Sequence, residues 1–142
     1  MTPLKPVELV PVVREWSMDY TMVHEVVPLV RIHIRRQLLA WGWAGDEHNV
    51  GVMASELVTN AVNHGRRVGH TLNVRLALLE DGGLVVDVSD PVPALPRFQE
   101  RLHAGGQDEC GRGLHVIRSL GGALSWFLRD DDGKTVRVHI TV

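Results

Sequence analysis

Glu56, Asn60 and Asn63 lie four and seven residues apart in a stretch of helical periodicity, and at about 100° per residue they fall within about 60° of one another. An amide oxygen is a hard ligand suited to magnesium. A carboxylate one turn away can orient water or accept a proton from a hydroxyl nucleophile. The broader face of the same stretch carries Val50, Met53, Ala54, Leu57, Val58, Ala61 and Val62, the pattern of a helix laid on a core, while Ser55 and Thr59 join the polar side. The alternative is a solvated face of an amphipathic helix. Such faces favour Lys, Arg and Glu, yet from Val50 to Asn63 there is no basic residue and only one acid. Two asparagines in a helix interior cost propensity, so a tertiary or ligand role is the economical explanation.

The elements that must position this stripe can be read along the chain. Its helix begins after Gly45-Asp46 and runs to His64, where Gly65 is expected to take the left-handed conformation that stops it. An earlier helix spans about Val26 to Trp41, with Val30, Ile34, Leu38 and Trp41 at helical spacing and Gly42 near its end. Val7 to Tyr20, within an N-terminal region over residues 1–20, reads as an irregular or edge strand. Thr71 to Leu79 and Leu84 to Ser89 form an antiparallel pair across the turn Glu80-Asp81-Gly82-Gly83.

Pro91, Pro93 and Pro96 then forbid regular structure, and the polar, glycine-bearing run to Gly113 makes residues 91–113 a long loop. Loops of that length in a compact domain are usually functional. A short helix from Gly113 to about Leu120, a break at Gly121-Gly122, and strands near Ala123 to Leu128 and Thr135 to Val142 complete the chain, with Asp130 to Gly133 as the last turn.

The 142 residues suit a single α/β domain with one core. A formal net charge of -2 offers no electrostatic case for nucleic acid. The single cysteine, Cys110, excludes an intrachain disulfide and a cysteine zinc cluster, which suits a reducing cytoplasm. Pro3, Pro6 and Pro11 interrupt the first residues, leaving neither a signal peptide nor a membrane span to be seen. His24-Glu25 lacks the second histidine of a zinc protease motif, and Gly133-Lys134-Thr135 lacks the first P-loop glycine, which would stand where Leu128 does.

Glu56-Leu-Val-Thr-Asn60-Ala-Val-Asn-His-Gly65 resembles the N box of the histidine kinase-like (Bergerat-fold) ATPases, a superfamily that includes gyrase B, the Hsp90 chaperone and MutL-type proteins. With Ser55 added, the stretch is most similar to that of the anti-sigma-factor serine kinases and related small regulatory ATP-binding proteins. By this resemblance Asn60 coordinates Mg²⁺, Glu56 is the general base, and Asn63 stands in the cofactor site. Leu84-Val-Val-Asp-Val-Ser-Asp90-Pro-Val-Pro-Ala-Leu-Pro96 resembles the G1 region, in which the aspartate aligned with Asp90 accepts a hydrogen bond from the adenine amino group. Here the family's Asp-x-Gly-x-Gly has lost both glycines.

Gly111-Arg112-Gly113-Leu114 resembles the G2 box that closes the nucleotide lid, with glycines that let the backbone approach phosphate and a helix start that offers free N–H groups. Arg112 either contacts phosphate or faces solvent. Thr135 stands where the family often places a threonine near the adenine, although Asp-Gly-Lys-Thr reads first as an ordinary hairpin.

The resemblance covers about Pro28 to Val142 and implies a two-layer Bergerat sandwich, with a mixed, mostly antiparallel sheet, helices on one face and a lid over residues 91–113. It implies ATP and Mg²⁺ as cofactors, and a cytoplasmic serine/threonine kinase of the anti-sigma type. Its partners would be a sigma factor and/or an anti-sigma-factor antagonist, with neither nucleic acid nor membrane, and a homodimer is allowed. The alternative is a nucleotide-responsive binding module that transfers no phosphate. Retention of Glu56 favours the kinase, and the missing G1 glycines favour the module.

Overall fold

The computed structural model of the chain describes residues 10–94 and 109–142, with the side chains of 109–112 excepted. Strand β1 (Val12–Thr21) leads through a 3-10 turn (His24–Val26) into helix α1 (Val27–Trp41) and helix α2 (Glu47–His64). The hairpin β2 (Thr71–Leu79) and β3 (Leu84–Asp90) follows, then helix α3 (Glu109–Ser119) and the hairpin β4 (Ala123–Leu128) and β5 (Lys134–Ile140). The strands form one five-stranded sheet in the order β1-β2-β3-β5-β4, and every neighbouring pair is antiparallel. The mixed sheet expected from sequence is therefore antiparallel throughout the described residues.

Strand alternation decides which side of this sheet meets the helices. Leu72, Val74 and Leu76 of β2, Leu84, Val86 and Val88 of β3, and Val136, Val138 and Ile140 of β5 share one face and are buried. Against them pack Val30, Ile34 and Leu38 of α1, seven core residues of α2, and Leu114 and Ile117 of α3. These seven residues of α2 are the apolar face read from its periodicity. The other face of the sheet is polar in its middle. There Arg137 makes a two-pronged bond to Asp87, Nε to Oδ1 at 2.7 Å and Nη2 to Oδ2 at 2.8 Å, while Arg75 bridges Asp87 and Glu15.

Local chemistry explains the helix ends. Pro28 sits at the start of α1, where no backbone N–H is needed, and Gly42 ends the helix in the left-handed conformation at φ 65°. The Asp46 side chain caps α2 by accepting from the Asn49 N–H at 3.1 Å. Two expectations fail here. Gly65 stops α2 at φ -113° and ψ 7°, not in the left-handed region, so its reason for being glycine lies elsewhere. Helix α3 begins at Glu109, four residues before Gly113, because Leu114 and Ile117 are drawn into the core and the helix that carries them extends backwards. Most of the 91–113 lid, residues 95–108, lies outside the described residues.

Candidate functional site

Helix α2 lies across the sheet so that Asn60 looks toward the end of β3. Asn60, Leu57 and Ala61 of α2, Val88 and Asp90 of β3, Leu114 of α3, and Lys134 and Val136 of β5 line one small cavity. Four of the residues expected at the site, Asn60, Asp90, Leu114 and, one turn before Asn60, Glu56, are thus gathered where α2, α3 and the sheet converge. Asn63 is exposed near the end of α2 and does not line the cavity. Ser55 and Thr59 turn toward α1 and the helix backbone: Ser55 Oγ donates to Val52 O and accepts from Arg31, and Thr59 Oγ1 donates to Ser55 O.

Glu56 is half-buried beneath α3. A Cβ on Gly113 would come within 2.6 Å of Glu56 Oε2, so the glycine allows α3 to settle on the carboxylate. Burial pushes the Glu56 carboxyl above its ordinary value, and the Arg31 charge pulls it partly back. A carboxyl held up in this way takes a proton more readily than one in water. Gly113 therefore serves by packing. As the fifth residue of α3 its N–H falls within the helix. The side chain of Arg112 lies outside the described residues.

Asp90 is 5% exposed and surrounded on three sides. A Cβ on Gly65 would come within 2.3 Å of its Cγ, and one on Gly133 within 2.4 Å of its backbone oxygen. Its Oδ1 accepts from the Val92 N–H at 2.9 Å. The remaining contact was not expected from sequence. The ammonium of Lys134 lies 2.9 Å from both Oδ1 and Oδ2 of Asp90 and 3.2 Å from Val92 O. Burial pushes the Asp90 carboxyl up, while the Lys134 ammonium and the Val92 N–H pull in the other direction. Lys134 itself is 1% exposed.

Thr135 does not share this site. It is on the opposite face of the sheet, paired with Ser89, and their hydroxyls are 2.7 Å apart. Lys134 takes the position facing the cavity because it pairs with Asp90 and alternates with Val136 and Val138. The signal was present in the period-two pattern Lys134, Val136, Val138, Ile140, whose apolar members fix which side the first must take.

On its outer side Asp90 borders a second, polar cleft of about 390 Å³ that includes Asp19, Arg67, His70, Ser89, Arg129 and Asp131. Among the described residues no group of three or more His, Cys, Asp or Glu could hold a metal ion, and no helix is long and apolar enough to cross a membrane.

Among solved structures the chain is similar to the RsbU and RsbW domains of a Mycobacterium tuberculosis protein, at 18% identity and a TM-score of 0.62. That match covers 90% of this chain and 32% of the other, so the chain spans about a third of that structure's length, and the likeness is one of fold. The histidine kinase domain of a blue-light activated histidine kinase from Erythrobacter litoralis is similar at 23% identity and a TM-score of 0.47, over 66% of this chain and 43% of that one. No curated protein matches the chain. The family model of the histidine kinase-like ATPase domain matches residues 23–140, a span that holds all three helices packed against the sheet and every element of the candidate Glu56, Asn60 and Asp90 site, and the chain belongs to that family.

Proposed function

We propose that the chain is an ATP-binding regulatory serine/threonine kinase of the anti-sigma-factor type, which phosphorylates a small anti-sigma antagonist, sequesters a sigma factor, or does both. The observation that carries this reading is the convergence of Asn60 and Asp90 on one cavity, with the half-buried Glu56 one turn before Asn60 on α2.

The residues fit ATP and magnesium in chemical type. Val88, Val136, Leu57, Ala61 and Leu114 give the cavity apolar walls suited to a base, and Asp90 offers an acceptor at its end. Mg²⁺ keeps several waters and is ordinarily held by few protein ligands together with substrate phosphates, so the single amide of Asn60 suffices without an all-protein cage. Bound ATP would supply the γ-phosphoryl group and its Mg²⁺ the neutralisation of charge on the phosphates. Glu56 would then accept the proton of an attacking seryl or threonyl hydroxyl, a role suited to a carboxyl raised by burial. Asp90 would accept the adenine amino hydrogen, and Asn60 would hold the metal.

A second reading is favoured by one observation: Lys134 already occupies the Asp90 carboxylate. On that reading the chain is a nucleotide-responsive binding module that transfers no phosphate. Co-purification of the tagged protein, followed by incubation with γ-labelled ATP, separates the two. Label on a co-purified partner supports the kinase. A partner held in an ATP-dependent way, with no label transferred by the wild-type protein, establishes the module in its place.

A further inference from the structure

Lys134 is a lysine buried to 1% exposure with its ammonium against a carboxylate. Antiparallel pairing sets it directly opposite Asp90, on the face that Val136 and Val138 give to the core. All three ammonium hydrogens have acceptors within reach, namely both Asp90 oxygens and Val92 O. The cavity that remains beside it has a volume of about 10 Å³, room for about one water and far too little for a purine. Stability alone does not account for such a pair, since buried ion pairs can commonly be replaced by apolar residues of similar volume without loss.

We propose that Lys134 is a built-in occupant of the base site, whose ammonium holds the carboxylate that would otherwise read the base, so that nucleotide enters only when Lys134 withdraws. The inference rests on the ATP-site reading of Asp90 and Asn60. It makes Lys134 the residue that sets nucleotide affinity. The free protein is closed, and its apparent affinity is lowered by the fraction of molecules in which the lysine has left. A four-carbon stem with rotatable bonds lets the ammonium leave while β5 stays in the sheet.

Calorimetric titration with Mg-ATP tests this on wild type, Lys134→Thr and Lys134→Thr/Asp90→Asn. Lys134→Thr removes the ammonium and most of the stem, and it is expected to bind at least about tenfold more tightly than wild type. The added Asp90→Asn is expected to abolish the gain. Equal or weaker binding by Lys134→Thr overturns the proposal while leaving the ATP site intact. A gain that survives Asp90→Asn overturns the part given to the carboxylate. If neither wild type nor Lys134→Thr binds ATP although both are folded by circular dichroism, the ATP reading fails and the inference falls with it.

The wild-type chain provides a second measurement should Lys134→Thr not fold. Lys5 and Lys134 are its only two lysines, so ¹⁵N-lysine labelling gives two side-chain signals. The Lys134 ammonium is expected to be protected from solvent in the free protein and to shift on saturation with Mg-ATP. An unmoved signal at saturation overturns the proposal.

Discussion

Gly65→Ala is the sharpest test of how the site is built. With φ -113° and ψ 7°, Gly65 has a backbone that L residues adopt, so conformation does not demand glycine there. Space does. A Cβ would lie 2.3 Å from Asp90 Cγ, 2.4 Å from Oδ2 and 2.7 Å from Oδ1. The carboxylate cannot yield cheaply, because Lys134 and the Val92 N–H each hold it at 2.9 Å. Overpacking costs about 1–3 kcal/mol, and a loosened hydrogen bond to a charged group about 1.5–3 kcal/mol. The reduced entropy of the unfolded chain returns about 0.4–1 kcal/mol. A net loss of about 3 kcal/mol is therefore expected for Gly65→Ala, measured by guanidinium denaturation followed by circular dichroism. In an Asp90→Ala/Lys134→Met background, where carboxylate and ammonium are removed together, the same substitution should become neutral or stabilise by up to about 1 kcal/mol. A left-handed glycine would behave otherwise, with a cost of about 1–2 kcal/mol in both backgrounds. Equal cost in the two backgrounds, or no cost in the wild type, refutes the contact.

The other expected outcomes concern the chemistry. Asn60→Ala should lose most Mg-ATP binding while keeping the fold, and unchanged affinity in calorimetry would remove Asn60 from the metal site. Asp90→Asn should lose the preference for ATP over GTP in a competition assay; full retention of selectivity would show that the base is read elsewhere. Glu56→Gln should bind nucleotide within a few-fold of wild type while transfer to a partner falls by roughly 10²-fold, and transfer at the wild-type rate would dismiss Glu56 as the base. Because burial raises the Glu56 pKa, the proton-accepting form is lost as pH falls through that raised value, so transfer should decline at a higher pH than an ordinary carboxylate would give. The same shift acts on stability with the opposite sense. Ionising Glu56 burdens the fold increasingly as pH rises from the unfolded-state pKa through the raised folded one, so Glu56→Gln should be the more stable protein at neutral pH. That advantage should vanish below the unfolded-state pKa, and an equal advantage at both pH values would refute the assignment.

Much of the framework was legible because it follows from periodicity. The seven apolar residues of α2 and the strands Thr71–Leu79 and Leu84–Asp90 stand within a residue of where their patterns placed them. Misreadings arose where a residue type has two physical uses. Gly65 reads as a turn-maker and is a space-maker; Gly113 reads as a helix start and lies inside α3 over Glu56. Local propensity argued against helix around two glycines, and the burial of Leu114 and Ile117 outweighed it. The resemblance offers Thr135 beside a plain hairpin reading, and the alternation that buries Val136 assigns the cavity to Lys134. A lysine reads as a solvent residue until its strand register is known.

Gly65, Gly113 and Gly133 form a set apart from the glycines that turn the chain. Positive φ is found at Gly42, Gly69, Gly82 and Gly121, where the backbone itself requires it. Gly65, Gly113 and Gly133 have ordinary φ, as do Gly45, Gly51, Gly83 and Gly122, but it is Asp90 and Glu56 that a Cβ on these three would meet. A domain selected only for stability would gain more by replacing acid and glycine together, since each buried acid costs desolvation and each glycine costs chain entropy. Here both costs fall at the same place, at the two acids beside the cavity that Asn60 lines. Their coincidence supports the proposed site, because stored cost that packing does not require persists where binding or chemistry uses it.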